Sequence, residues 1–306
     1  PQAVVSARTN TNTRNNQRFL YIKTSNDVNR FRYFTSNYCT ILSMTVKELI
    51  TSFNNPAIKK IRSLNQRKYR VETELFLAEG IHHVGAAIEA DWDVDTLLYA
   101  PDLLTSEYAR DLIAASVKKG IACQPVSPDI FRSLAGKENP QGILASIRQR
   151  DLALDDLRNF EHSVAIVAPQ DPGNLGTILR TIDAVGADGL ILLDGGVDLY
   201  HPKVVRASMG SLFWKPAVRA SFDDFVVWQQ ERALKLIGTS ARGTSDLASL
   251  NLKNESWVLL LGSEQKGLSP EQISACDALV SLPMRGRGTS LNLAVAAGVF
   301  LYALIE

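Results

Sequence analysis

The chain has 306 residues, 45% hydrophobic and 21% charged, with a formal net charge of +1. That length accommodates two domains, and so small a net charge means that any nucleic-acid surface must come from local clustering of cations. No apolar run is long enough for a transmembrane helix. The three scattered cysteines (Cys39, Cys123, Cys276) form neither a disulfide framework nor a zinc-ligand pattern, which favours a reducing compartment, the cytoplasm.

Residues 1–43 differ from the rest. Six basic residues (Arg8, Arg14, Arg18, Lys23, Arg30, Arg32) face one acid, Asp27, and seven asparagines are scattered without apolar periodicity. Translated upstream sequence is preferred over a targeting extension or a disordered RNA-binding arm, because targeting peptides do not favour asparagine. Met44 opens a stretch that reads as a natural beginning. Between 44 and 150 the pattern alternates. A helix over 57–64 carries Ile58, Ile61 and Leu64 at helical spacing. Strands at 75–78, 96–100, 121–126 and 142–147 alternate with helices at 80–90, 106–119 and 129–135, the signature of a small α/β domain. Lys59, Lys60, Arg62, Arg67, Lys68 and Arg70 accompany Tyr69 with no acid among them, and they are the expected RNA contacts. A solvated helix face is the alternative. His82 and His83 are adjacent and cannot share one face, so no metal role is expected.

Residues 151–162 are polar, lack glycine and read as a linker helix. A second α/β domain covers 163–306. Its strands (164–168, 190–193, 236–239, 258–261, 278–282) are short and nearly all apolar, as in a parallel sheet covered on both faces. Helices fit at 175–185, 203–212, 222–232, 270–275 and 290–304.

Three loops fall at the C-terminal ends of these strands, where open α/β sheets bind ligands. The first, 169–176, opens a helix carrying Asn174 and, six residues on, Arg180, whose long side chain can fold back toward the helix start. The second, 261–268, is a glycine-flanked turn holding Glu264. The third, 282–294, has two glycines and two arginines before a helix that Thr289 or Ser290 can cap. That helix begins with small residues (Ala294, Ala296, Ala297, Gly298), so another backbone can approach it. A dinucleotide fingerprint, a P-loop lysine, H-E-x-x-H and G-x-S-x-G are all missing. With no obvious nucleophile and no metal, such a site suits group transfer from a cofactor that carries its own activation.

In order and spacing, the three loops resemble the motifs of the SpoU family, the TrmH-like branch of the SPOUT class of RNA 2′-O-ribose methyltransferases. The first motif is matched by Asn174, Gly176, Arg180 and Gly186, the second by Gly262, Glu264 and Gly267. The third is matched by Pro283, Met284, Gly286, Ser290, Leu291 and Asn292. The segment 201–210 is similar to an intermediate block of the family, with His201 in place of Asn. More loosely, residues 53–150 resemble the family's L30e-like substrate-binding domain.

The resemblance implies a parallel-sheet SPOUT domain with a trefoil knot, a rare exception to unthreaded topology. It also implies a homodimer, S-adenosylmethionine as cofactor, and ribosomal RNA as substrate, most consistent with the large-subunit 23S type. Carried over by position, cofactor contacts fall on Thr239, Gly262, Leu282, Met284, Ser290 and Leu291. Arg180, Asn174, Glu264, Ser290 and Asn292 form the catalytic set. A guanidinium does not readily give up its proton, so gripping a phosphate and orienting the ribose hydroxyl suits Arg180 better than proton abstraction. Gly262 would let its backbone approach the cofactor. Open alternatives are Glu264 bridging within its turn, Asn292 and Ser290 serving as helix N-terminal hydrogen bonders, a tRNA substrate, and a non-catalytic RNA-binding protein on the same fold.

Overall fold

The computed structural model describes residues 47–306 other than 137, 158–159, 242, 244–246, 248–249, 251, 253–254 and 306, plus an antiparallel pairing of Thr11–Asn12 with Gln17–Arg18. Apart from that pairing, the expectations for residues 1–43 and for a start at Met44 lie outside the described residues.

Two sheets follow each other along the chain. The first has four strands, β1 (Leu75–Glu79), β2 (Val94–Tyr99), β3 (Cys123–Pro125) and β4 (Ile143–Arg148), in the order β1-β4-β2-β3. β4 runs antiparallel to both neighbours, while β2 and β3 are parallel. Around it lie α1 (Pro56–Ser63), α2 (Arg67–Thr73), α3 (Ile81–Glu89), α4 (Glu107–Lys118) and α5 (Pro128–Leu134). The second sheet contains β5 (His162–Val167), β6 (Gly189–Leu193), β7 (Ala217–Ala220), β8 (Lys235–Thr239), β9 (Trp257–Leu261) and β10 (Ala278–Val280). All its pairings are parallel, in the order β10-β8-β9-β5-β6-β7. The helices associated with it are α6 (Pro172–Val185), α7 (Pro202–Ala207), α8 (Ser211–Trp214), α9 (Phe222–Glu231), α10 (Pro270–Ser274) and α11 (Leu293–Ile305).

Apolar continuity in the second sheet follows from burial on both faces, since successive side chains point to opposite sides. Val164, Ile166, Leu190, Leu192 and Leu259 enter one core, and Ala165, Val167, Ile191, Leu193 and Leu260 enter the other. The strand order reverses beside β5, which has β6 on one side and β9 on the other. Such a switch point leaves a crevice beyond the strand C-termini, and the loops after β5 and β9 border it.

Four expectations change. The helix expected over 203–212 splits into α7 and α8, because Met209 (φ 50°) and Gly210 (φ 92°) adopt left-handed conformations. The linker helix is not formed by the described residues of 151–162. A 3₁₀ turn at Leu154–Asp156 takes its place, with the Asp156 carboxylate accepting from the Ala153 amide and Leu157 buried in the second core. α2 and the edge strand β7 are additional elements. Finally, α11 starts at Leu293, not at 290.

The two sheets meet through side chains of α2, α3, α7, α8 and the loops around them. Phe76 packs at a tilt against Tyr200, with ring centroids 4.6 Å apart, and the Trp92 Nε1 donates to the Phe213 carbonyl at 2.9 Å. His82 and His83 sit against the carbonyls of Met209 and Arg206. Among the described residues, no helix is long and apolar enough to cross a membrane, and no group of three His, Cys, Asp or Glu is placed to hold a metal ion.

Candidate active site

The crevice is built from the loop after β5 outward. Asp171 caps α6 by accepting from the Asn174 amide at 2.7 Å, and Pro172 supplies a preset first helical residue. This capping fixes Asn174 at the helix start. Its side-chain amide donates to Glu264 Oε1 in the loop after β9, while its Oδ1 accepts from Asn292 Nδ2 at 2.9 Å. The direction is dictated by chemistry: an ionised carboxylate only accepts, so Asn174 must offer it the NH₂ and keep its oxygen for Asn292. Gln265 adds a second tie by donating to Gln170 at 2.9 Å. Residues separated by more than a hundred positions in the chain thus become one hydrogen-bonded set.

Asn292 has a further task. Its Oδ1 accepts from the amides of Ala294 (2.9 Å) and Val295 (3.3 Å), which makes it the N-cap of α11. The expected caps, Thr289 and Ser290, stand upstream in the loop and are exposed. Asn is as good a cap as Ser or Thr, and here its NH₂ remains available for Asn174.

Arg180 is not hydrogen-bonded to this set. Six residues at about 100° each place it about 120° around α6 from Asn174, and it is exposed. Among the described residues its guanidinium has no hydrogen-bond or ion-pair partner. Gly176 explains the helix's seat: a Cβ there would come within 2.6 Å of Ala207 Cβ and the Val204 carbonyl, so α6 and α7 pack backbone to backbone.

The expected cofactor residues lie at or beyond the C-terminal ends of β8, β9 and β10. Thr239 ends β8, half-buried, and its hydroxyl donates to the Leu260 carbonyl at 3.2 Å. A Cβ on Gly262 would lie 2.4 Å from the Gly267 carbonyl carbon and 2.5 Å from the Leu268 nitrogen. The close approach that glycine permits there is therefore to the chain's own turn. Leu282 is half-buried against the first core, while Met284, Ser290 and Leu291 are exposed on the loop joining β10 to α11. That loop is anchored at its start by the Ser240 amide donating to the Val280 carbonyl and by the Ser281 hydroxyl donating to the Gly243 carbonyl. Asn292 anchors its end.

A match to the SpoU rRNA methylase family spans residues 161–302, and a match to the MRM3-like substrate binding domain spans residues 55–145. The 23S rRNA (uridine(2479)-2′-O)-methyltransferase of Streptomyces viridochromogenes is 36% identical over 79% of this chain and 86% of its own length. RlmP of Bacillus subtilis (strain 168), a 23S rRNA (guanosine(2553)-2′-O)-methyltransferase, is 32% identical over 83% of this chain and 98% of its own. The AdoMet-bound rRNA methyltransferase from Sinorhizobium meliloti superposes with a TM-score of 0.77 at 37% identity, covering 84% of this chain and 97% of that one. The chain belongs to the SpoU rRNA methylase family.

For a SpoU protein the basic run at 59–70 is the natural place to look for substrate contacts, and its members divide. Lys59, Arg67 and Lys68 are exposed. Lys60 is paired with Asp95 at 3.3 Å, and Arg62 donates to the Ser133 hydroxyl at 3.2 Å. Arg70 is a correction. It is 1% exposed and its guanidinium is bound to Asp198 at 2.6 Å, so it faces the second sheet and is withdrawn from RNA.

Sequence reasoning missed Asp198 and the tie between Gln170 and Gln265. Asp198 is one acid in an unremarked loop, with only its closeness to the intermediate block as a signal. Burial pushes its carboxyl pKa up, but the hydrogen bonds and charge of Arg70, the Tyr200 amide and Arg219 outweigh this and hold it below the usual value. His201, the departure from the SpoU block, caps α7 by accepting from the Lys203 amide through Nδ1 at 3.1 Å. Burial and the nearby Arg70 charge lower its pKa, preserving the neutral ring that this acceptor role needs.

Proposed function

We infer that the protein transfers the methyl group of S-adenosylmethionine to a ribose 2′-oxygen in large-subunit ribosomal RNA. The observation that carries this reading is the union of Asn174, Glu264 and Asn292, which brings all three motif loops to one crevice. The residues present fit the cofactor. Half-buried Leu282 and exposed Met284 and Leu291, all on the loop joining β10 to α11, suit an adenine ring.

When bound, S-adenosylmethionine supplies an electrophilic methyl on a cationic sulfur. The chain's task is then alignment, and no covalent catalysis by the protein is required. Arg180, exposed and with its charge unspent, holds an RNA phosphate and orients the neighbouring 2′-hydroxyl. Asn174, locked between Glu264 and Asn292, shapes the pocket wall, with Ser290 beside it on the loop. Lys59, Arg67 and Lys68 hold RNA farther out, on the unit over 44–150. A linker over 151–162 joins it to the methyltransferase unit over 163–306. A trefoil knot in the methyltransferase unit, its loops forming the cofactor pocket, belongs to the same reading.

A homodimer in the cytoplasm completes the reading. α11 buries Ala297, Phe300, Leu301 and Leu304, yet Val295, Val299 and Tyr302 on its opposite face are 52%, 46% and 57% exposed. A helix apolar all round calls for a second covering surface. Tyr302→Glu is expected to shift the protein to monomer in sedimentation velocity. The reading itself is tested by incubating the protein with radiolabelled S-adenosylmethionine and unmodified large-subunit RNA, then mapping 2′-O-methyls. Label at one ribose supports it; cofactor binding without label in any RNA overturns it.

A further inference from the structure

Arg70 and Asp198 connect two parts of the molecule that have separate tasks. Arg70, on α2, donates through Nε (2.9 Å) and Nη2 (2.6 Å) to Asp198 Oδ2, and through Nη1 to the Leu64 carbonyl at 2.8 Å. The other Asp198 oxygen accepts from the Tyr200 amide at 3.1 Å and from Arg219 at 3.2 Å. Arg70 is 1% and Asp198 10% exposed, so this is a satisfied buried pair. Removing one partner of such a pair strands a charge, and the best-attested use of buried pairs is fixing one arrangement over its alternatives.

The connection extends into the crevice. Asp198 belongs to the loop after β6, where the Val197 amide donates to the Pro169 carbonyl at 2.8 Å. A Cβ on Gly196 would come within 2.5 Å of that same carbonyl, so the two loops are in direct backbone contact. Pro169 opens the loop carrying Gln170, Asp171 and Asn174. On the other side, Arg70 shares α2 with the exposed cations Arg67 and Lys68. The Gln149 side chain also ties the Arg70 carbonyl to the end of the first sheet at 2.9 Å.

We propose that Arg70 and Asp198 are positioning residues that set the span between the RNA-holding cations of α1–α2 and the methyl-transfer crevice, so that the protein selects its nucleotide by a fixed reach. This rests on the proposed function and adds to it how the target ribose is chosen. A rigid reach presents one ribose to the crevice; a loosened one presents its neighbours as well, and each less accurately.

The test uses the full chain, S-adenosylmethionine and the large-subunit RNA fragment that the unaltered protein methylates. Asp198→Asn preserves the side-chain shape and an acceptor for the Tyr200 amide but discards the charge. It is expected to bind S-adenosylmethionine within about twofold of the unaltered protein, to lose about 10- to 100-fold in kcat at saturating RNA, and to spread methyls onto riboses flanking the target. Arg70→Lys, which retains the charge without the planar fork, should fall between the two. It decides the matter if Asp198→Asn fails to fold by circular dichroism. A folded variant with unaltered kcat and one methylated ribose overturns the proposal, as does a loss of cofactor affinity in step with activity. If the unaltered protein methylates no RNA, the proposed function falls first and this inference with it.

Discussion

The crevice and the contact between the sheets both depend on polar side chains, and they treat them in opposite ways. At the contact, Arg70 and Asp198 are removed from water and most of their hydrogen-bonding capacity is met inside the protein. At the crevice, Asn174, Glu264 and Asn292 are bonded to one another yet open to solvent, and Arg180 has no partner among the described residues. A buried charge with every partner in place holds geometry, because its alternatives are costly. An exposed cation left unpaired contributes little to stability and remains free to bind an anion. Two arginines that look alike in the sequence therefore differ in setting: Arg70 is fixed by buried partners, whereas Arg180 is exposed and, under the proposed function, is the one left to meet RNA.

The sharpest test of that contrast is Arg180→Ala. If the guanidinium acts only on RNA during transfer, kcat should fall by at least about 100-fold, as when a preorganised charged contact to the reacting region is lost. S-adenosylmethionine affinity by calorimetry should stay within about threefold, and the thermal midpoint should hardly move, since the side chain is exposed. Parallel losses of transfer and cofactor binding would put Arg180 with the structural arginines and erase the distinction.

The same contrast explains what could be read from the chain beforehand. The second sheet was legible because β5, β6 and β9 are apolar at nearly every position and end in glycine- or proline-marked loops. The crevice was legible because Asn174, Glu264 and Asn292 lie at family spacings, although their mutual bonds required coordinates. Arg70 was misread because a run of cations does not say which side of a short helix each one occupies. α2 has seven residues, too few for a clear apolar period. For the cap of α11 the sequence favours Thr289 or Ser290 and leaves Asn292 as an alternative N-terminal hydrogen bonder; the Ala294 and Val295 amides select Asn292.

A smaller effect comes from the turn beside the crevice. In Gly262→Ala the new methyl meets the backbone at Gly267 and Leu268, which cannot swing aside as a flexible side chain would. Relieving that overlap is expected to cost about 1–3 kcal/mol and to displace Glu264, two residues on. Chemical denaturation should register the first effect. A roughly tenfold weaker S-adenosylmethionine titration should register the second, since about 1.4 kcal/mol corresponds to a factor of ten. If stability falls and cofactor affinity does not, the turn supports the fold without lining the pocket.

The finest distinction concerns Asn292, which serves the fold with its oxygen and the crevice with its nitrogen. Asn292→Asp retains an acceptor for the Ala294 and Val295 amides, and a carboxylate at a helix N-terminus is favourable. It cannot donate to Asn174, and it brings a second carboxylate toward Glu264. Asn292→Ala loses both functions and should destabilise the protein by about 1 kcal/mol through the missing cap. The two variants should therefore separate: Asp near the original thermal midpoint but with reduced transfer, Ala reduced in both. If Asp retains full activity, the Asn174 bond is incidental, and the crevice relies on the cap alone to hold the third loop in place.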